Sequence, residues 1–140
     1  MVSLDRLENL HGARILVVED DPDTRAALAI VLERCGALVT AVGSSREALD
    51  VFDDSRPHVL VCDIGLPDED GYALIRKVRA RGAEKGGKVP AAAVTAYATP
   101  EDRRRALQAG FWEHLAKPVE LRKLLDTVAT LRRASVLPGF

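Results

Sequence analysis

The sequence predicts an α/β fold, a three-layer doubly wound parallel sheet of five strands. Three observations predict it. Five short apolar runs alternate with five helical patterns along the 140 residues. The first and third runs are continuously apolar, as strands covered on both faces must be. Finally, 47% of the residues are hydrophobic and only 4% aromatic, so the core on both faces is aliphatic. Alternation of this kind implies parallel strands joined by right-handed crossovers. The length fits one domain.

The apolar runs are 15–18, 38–42, 58–62, 91–94 and 114–116. The fourth is alanine-rich and has no strand propensity of its own, and the fifth is short. Their regular spacing supports them more than their composition does. The helices carry clearer signals. Asp21 before Pro22 reads as an N-cap with proline at the first helical position. That helix runs to Cys35 with Leu28, Val31 and Leu32 inward, and Gly36 stops it. Ser44 with Glu47 three residues later reads as a capping box for the second helix. The third starts near Gly71 and buries Leu74, Ile75 and Val78. Thr99 and Pro100 open the fourth, with Glu101 and Asp102 in its positive first turn. The fifth repeats Leu121, Leu124, Leu125, Val128 and Leu131 along one stripe. Residues 82–88, with Gly86 and Gly87, read as a flexible loop before the fourth strand.

At the ends, residues 1–12 read as a linker, in which Leu4, Leu7 and Leu10 share one face. Residues 134–140 read as an uncharged tail. Twenty Lys and Arg stand against twenty-one Asp and Glu, a net charge of -1. That balance gives no general attraction to nucleic acid or anionic membranes. No apolar run approaches the roughly 20 residues needed to cross a bilayer. The N-terminus lacks the layout of a secretion signal. Cys35 and Cys62 stand in apolar surroundings and read as small buried hydrophobes in a reducing cytoplasm.

In an open parallel sheet, ligands bind beyond the carboxyl ends of the strands. Glu19 and Asp20 follow the first run, Asp63 the third, Thr95 the fourth, and Lys117 with Pro118 the fifth. Each alone has an ordinary explanation as a cap, turn or surface residue, and Asp21 is assigned only to its cap. Together, four of five strands deliver a polar group to one edge. Three carboxylates there repel one another, by roughly 4 kcal/mol per pair at about 4 Å and an effective dielectric of 20. A hard cation held by oxygen ligands offsets this best, and magnesium is the expected one. Lys117 adds a further positive charge.

At this point the residues resemble a known family. Ile15-Leu16-Val17-Val18-Glu19-Asp20-Asp21, then Asp63-Ile64-Gly65-Leu66-Pro67 with Asp70-Gly71, then Val94-Thr95-Ala96, then Lys117-Pro118 are similar to the receiver domains of two-component response regulators. The likeness covers residues 13–133. Ala109-Gly110-Phe111 and His114-Leu115-Ala116-Lys117-Pro118 look most like receivers of hybrid histidine kinases.

The resemblance implies a flavodoxin-like sheet with strand order 2-1-3-4-5. It implies a signalling domain rather than an enzyme, one that assists its own aspartyl phosphorylation and dephosphorylation. Asp63 would be the phosphoacceptor. Asp20 and Asp63 would bind Mg2+ directly, with Glu19 nearby or through water and the Gly65 backbone carbonyl completing the protein's ligands. Mn2+ would substitute. Thr95 and Lys117 would contact the phosphoryl group, and Lys117-Pro118 would be a cis peptide. His114 would be the switch residue, at a position more often held by Tyr or Phe. Gly65 and Tyr97 would tune the access of water. The donor would be a phosphohistidine on a histidine kinase or histidine phosphotransfer protein. The output partner is unknown and would meet the fourth helix, fifth strand and fifth helix. Direct nucleic-acid contact and membrane insertion are not expected. The implied chain is a cytoplasmic monomer or weak dimer.

Arg103, Arg104 and Arg105 read as a solvated face, or with Arg122 and Lys123 as part of a partner surface. Three other functions compete. A pseudo-receiver binding partners without phosphorylation would typically lack the acid pair, Asp63 or Lys117, and all are present. A hydrolase or phosphatase using Asp63 would need a second acid where Gly65 stands. A flavin protein would need a phosphate-cradling loop where Glu19 and Asp20 stand.

Overall fold

The computed structural model describes residues 9–96 and 98–135. The strands are β1 (Arg14–Val18), β2 (Leu38–Val42), β3 (Val59–Asp63), β4 (Ala91–Thr95) and β5 (Glu113–Ala116). The α-helices are α1 (Pro22–Arg34), α2 (Ser45–Ser55), α3 (Gly71–Arg79), α4 (Pro100–Ala109) and α5 (Leu121–Ala134). All strand pairs are parallel, in the order β2-β1-β3-β4-β5. The predicted sheet and its strand order therefore hold. No helix among the described residues is long and apolar enough to cross a membrane.

Successive side chains along a strand point to opposite faces, and this divides the apolar runs between two cores. Ile15, Val17, Val59, Val61, Ala92 and Val94 pack with α1 and α5. Leu16, Val18, Leu60, Cys62, Ala91 and Ala93 pack with α2, α3 and α4. The alanine-rich β4 is a strand because its neighbours make it one. It hydrogen-bonds β3 on one side and β5 on the other, and Ala91, Ala92 and Ala93 are fully buried. Tertiary context here outweighs propensity.

The cap assignments are partly borne out. Asp21 caps α1 by accepting the Thr24 N–H, with Pro22 at the first position. Ser44 caps α2 through the Glu47 N–H at 3.2 Å, but the reciprocal half of the box is not as predicted. The Glu47 carboxylate accepts from the Gly43 N–H instead. The reciprocal capping box is at α4, where Thr99 and Asp102 satisfy each other's backbone. Sequence reasoning passed over Asp70, which caps α3 through the Ala73 N–H.

Two further expectations are corrected. Leu121 does not belong to the buried stripe of α5; it is 45% exposed, at the helix's first turn, and Ala129 joins the stripe instead. Residues 82–88 are a built turn. A 3-10 turn, Ala83–Lys85, is closed by the Gly87 N–H on the Gly82 carbonyl, and the Arg79 guanidinium donates to the Gly87 carbonyl. Arg79 also grips the Gly110 carbonyl at the end of α4 with two nitrogens. Burial pulls its guanidinium below the usual arginine range.

Residues 1–8 of the predicted linker, and Leu4 and Leu7 with them, lie outside the described residues, as do 136–140. Leu10 is buried in the α1/α5 core, and its N–H donates to the Cys35 carbonyl. Both cysteines are buried and outside any disulfide.

Candidate functional site

The chain runs outward from β1 to β2, then crosses back past β1 to build β3, β4 and β5. Strand order therefore reverses between β1 and β3, and the loops leaving these two strands diverge to open a crevice. Register decides what faces it. Val18 pairs with Cys62, so Glu19 and Asp63 follow at one level. Asp63 pairs with Val94, and Thr95 with Ala116, which brings Thr95 and then Lys117 to the same edge. The Lys117 N–H donates to the Thr95 carbonyl at 2.8 Å.

Glu19, Asp20 and Asp63 each offer an oxygen to a common point, all within 4.8 Å of one another. At that spacing two full charges repel by about 3 kcal/mol at an effective dielectric of 20. Glu19 and Asp63 are buried and Asp20 is exposed, so the cluster opens to solvent at one corner. Lys117 reaches in from β5, with Nζ 2.8 Å from Glu19 Oε1 and 3.1 Å from Asp63 Oδ2. One ammonium thus spans the two buried carboxylates, leaving net negative charge with Asp20 beside it. The donor set is all carboxylate oxygen, which suits a small hard cation such as Mg2+.

The crowding also shifts the ionisation of these groups. Burial pushes the Glu19 carboxyl above its ordinary range and Asp63's charge adds to that, against the opposing pull of Lys117 and the Asp21 N–H. Burial alone pulls the Lys117 ammonium down, but its close pairing with the Glu19 and Asp63 carboxylates outweighs this and holds it above the usual lysine range. Asp21 stays at its cap, lowered chiefly by hydrogen bonds from Thr24.

The backbone around the crevice is held closely. Gly65 N–H donates to Asp63 Oδ1 at 3.1 Å. A Cβ at Gly65 would lie 3.9 Å from that oxygen, so a larger side chain there would border the carboxylate directly. A Cβ at Gly71 would stand 2.7 Å from the Asp63 carbonyl oxygen, so only glycine lets α3 start this close to β3. Lys117-Pro118 is cis. Thr95 is buried at the end of β4. His114 pairs with Ala93, and since paired residues share a face, His114 and Thr95 lie on the side of the sheet covered by α4. Tyr97 lies outside the described residues.

The structure therefore brings together Glu19, Asp20, Asp63 and Lys117, with Gly65 and Thr95 adjoining and His114 one strand away. It also shows residues that sequence reasoning missed. The Arg25 guanidinium, on α1, donates to the Glu19 carbonyl at 3.0 Å and reaches the Asp20 carbonyl at 3.5 Å. Gly43 makes room for it, since a Cβ there would sit 2.8 Å from Arg25 Nη1. Asp68, in the β3–α3 loop, accepts the Ser45 and Arg46 N–H groups of α2. Neither contact has a local sequence signal. Arg103 and Arg104 are exposed as read, and Arg105 stacks over the Tyr72 ring at 4.2 Å.

Comparison with known proteins agrees with this geometry. The chain is 44% identical over 122 residues to an uncharacterized 14.6 kDa protein of Leptolyngbya boryana, covering 87% of this chain and 92% of that one. It is similar to the receiver domain of sensor histidine kinase PA1611 from Pseudomonas aeruginosa, solved with a magnesium ion coordinated in its active site cleft. The identity is 35% and the TM-score 0.76, over 89% of this chain and 98% of that one. It also resembles the Saccharomyces cerevisiae co-crystal of the histidine phosphotransfer protein Ypd1 with the receiver domain of Ssk1. There the identity is 25% and the TM-score 0.83, over 93% of this chain and 95% of that one. The chain spans less than a fifth of the length of the histidine kinases and of the sensory/regulatory protein among its relatives. The family model described as "Response regulator receiver domain" matches residues 15–129. Since that match runs from β1 into α5 and takes in every strand that shapes the crevice, the chain belongs to the response regulator receiver domain family.

Proposed function

We propose that this chain is a phosphoacceptor switch that takes a phosphoryl group from a phosphohistidine onto Asp63 in a Mg2+-dependent reaction. The observation that carries the reading is the placement of Asp63 between Glu19, Asp20 and the Lys117 ammonium. Asp20 and Asp63 would hold the cation, with Glu19 beside it or acting through water and the Gly65 carbonyl completing the protein's share. Mn2+ would serve in its place. Bound there, the cation would offset negative charge on the transferred group.

The chain's own residues do the rest. An Asp63 carboxylate oxygen forms the new O–P bond as the N–P bond of the donor breaks. The donor imidazole, protonated on its other nitrogen, leaves neutral with the electron pair. Lys117 holds positive charge where the phosphoryl oxygens arrive, and the Thr95 hydroxyl donates to one of them. Catalysis of this kind is positioning and electrostatics. The aspartyl phosphate adds close to two negative charges. Drawn toward them, Thr95 vacates space on the α4 side of the sheet, into which His114 turns. The surface formed by α4, β5 and α5 then shifts between two states.

The donor would be a histidine kinase or histidine phosphotransfer protein in the cytoplasm, and the output partner would read the switched face. The functional unit would span residues 13–133, with 1–12 and 134–140 flanking it, although Leu10 packs into its core and α5 runs on to Ala134. The test is intact-mass spectrometry with acetyl phosphate. The parent is expected to gain one phosphoryl group only when Mg2+ is present, and Asp63→Asn to gain none. A parent with no magnesium-dependent gain would sink the reading.

A further inference from the structure

We infer that Asp68 and Ser45 form a clasp between the β3–α3 loop and the N-terminus of α2, and that this clasp positions the loop for cation binding. The inference rests on the function proposed above.

The loop from Ile64 to Asp70 is held at two ends by different means. At its base, the Leu66 and Gly71 N–H groups both donate to the Ile64 carbonyl, at 3.0 and 2.8 Å. The Gly65 N–H meets Asp63 Oδ1. These contacts close the loop upon itself and fix nothing about its tip. The tip is tied to another helix. Asp68 Oδ1 accepts the Ser45 N–H at 3.1 Å and Oδ2 accepts the Arg46 N–H at 3.0 Å. The Ser45 hydroxyl, buried, donates in return to the Glu69 carbonyl at 2.8 Å.

The first N–H groups of a helix have no partner within it, and its N-terminus favours negative charge. Ser44 already serves the third of these groups in α2. Asp68, from 23 residues away, serves the first two. These hydrogen bonds, the one from Arg46 foremost, hold its carboxyl below the usual range. Three bonds thus tie the tip to α2, three residues past Gly65; the exposed Lys77–Glu69 ion pair, at 2.7 Å, adds a weaker tether to α3. Gly65 has no side chain to anchor itself. A loop held at both ends leaves less ordering for the cation to bring about, whereas one held only at its base passes that cost to binding. Asp68 and Ser45 are therefore positioning residues, not ligands.

The test compares the parent with Asp68→Ala, Asp68→Asn and Ser45→Ala by calorimetric Mg2+ titration. Amide hydrogen exchange of the magnesium-free proteins provides a second readout. For Asp68→Ala the magnesium Kd is expected to rise about tenfold, the lower end for supporting residues around a metal site. Asp68→Asn keeps one acceptor and should fall between it and the parent. Ser45→Ala alters no charge and should weaken binding in the same direction by less. Exchange of residues 64–70 should speed up in each variant before any metal is added, and all should still take label on Asp63 at saturating Mg2+. Should Asp68→Ala not fold, Ser45→Ala carries the same comparison. A parent that binds Mg2+ with both alanine variants equal to it overturns the clasp and leaves the proposed function standing. Equal losses in Asp68→Ala and Asp68→Asn with none in Ser45→Ala assign the effect to charge alone and also overturn the clasp. A parent that binds no Mg2+ overturns both.

Discussion

The two edges of the sheet handle buried charge in opposite ways. At the amino ends of the strands, the Arg14 N–H donates to His58 Nδ1 at 2.9 Å, and Arg14 Nε donates to the Arg56 carbonyl at 2.8 Å. Burial pulls the His58 imidazole down to about 4, and the charges of Arg132 and Arg14 add to the effect. The ring gives up its charge and serves as a neutral acceptor. At the carboxyl ends, Glu19, Asp20 and Asp63 crowd together, and the two buried ones share the Lys117 ammonium. One edge resolves its electrostatic conflict; the other retains it. A retained conflict costs stability, and such costs concentrate where a site must bind a cation or react.

The largest expected effect comes from breaking the carboxyl edge. Lys117→Met leaves Glu19 and Asp63 buried side by side without their cation. Loss of one partner from a buried pair costs about 3 to 5 kcal/mol, and the partial exposure of Lys117 lowers this to about 2. Urea unfolding in magnesium-free buffer should show the loss, and added Mg2+ should restore part of it through mass action. A variant as stable as the parent would mean that the ammonium does not hold the carboxylates together.

The amino edge supplies the next effect, through pH. Protonation of His58 is held back in the fold, so the unfolded chain takes up that proton first as pH falls. The stability this group contributes is complete above about pH 6.5 and is lost as pH drops toward about 4. Partial solvent screening limits the loss to about 1 to 2 kcal/mol. His58→Asn offers an uncharged acceptor to the Arg14 N–H. Its melting temperature should fall less than the parent's between pH 6.5 and 4, and parallel curves would show that His58 is not the titrating group.

The smallest effect sharpens the contrast. Asp63→Asn removes one like charge while Glu19 keeps Lys117. The magnesium-free variant should be at least as stable as the parent, by up to about 1 kcal/mol. A clearly lower melting temperature would show that the Lys117–Asp63 contact outweighs carboxylate repulsion.

Where the sequence was legible, the signal was local. Asp21-Pro22 and Thr99-Pro100 announced two helix starts because cap chemistry acts within one turn. Strands β1 and β3 were plain because burial on both faces leaves an unbroken apolar run. Leu121 misled because its spacing fits the stripe, yet the first turn of α5 lies beyond the core. Ser44 and Glu47 have the right spacing for a box, but the carboxylate found the Gly43 N–H a residue earlier. The candidate site was largely readable, because each acid directly follows an apolar run.

By itself, then, the sequence determined the alternation of strands and helices, most helix starts, and which polar residues stand at strand ends. Those properties rest on periodicity and on hydrogen bonds spanning a few residues. Only the tertiary structure decided that Lys117 meets Asp63 across 54 residues, that alanines make a central strand, and that Asp68 caps a helix 23 residues earlier. Register and crossover set those meetings, and neither leaves a mark on the residues nearby in the chain.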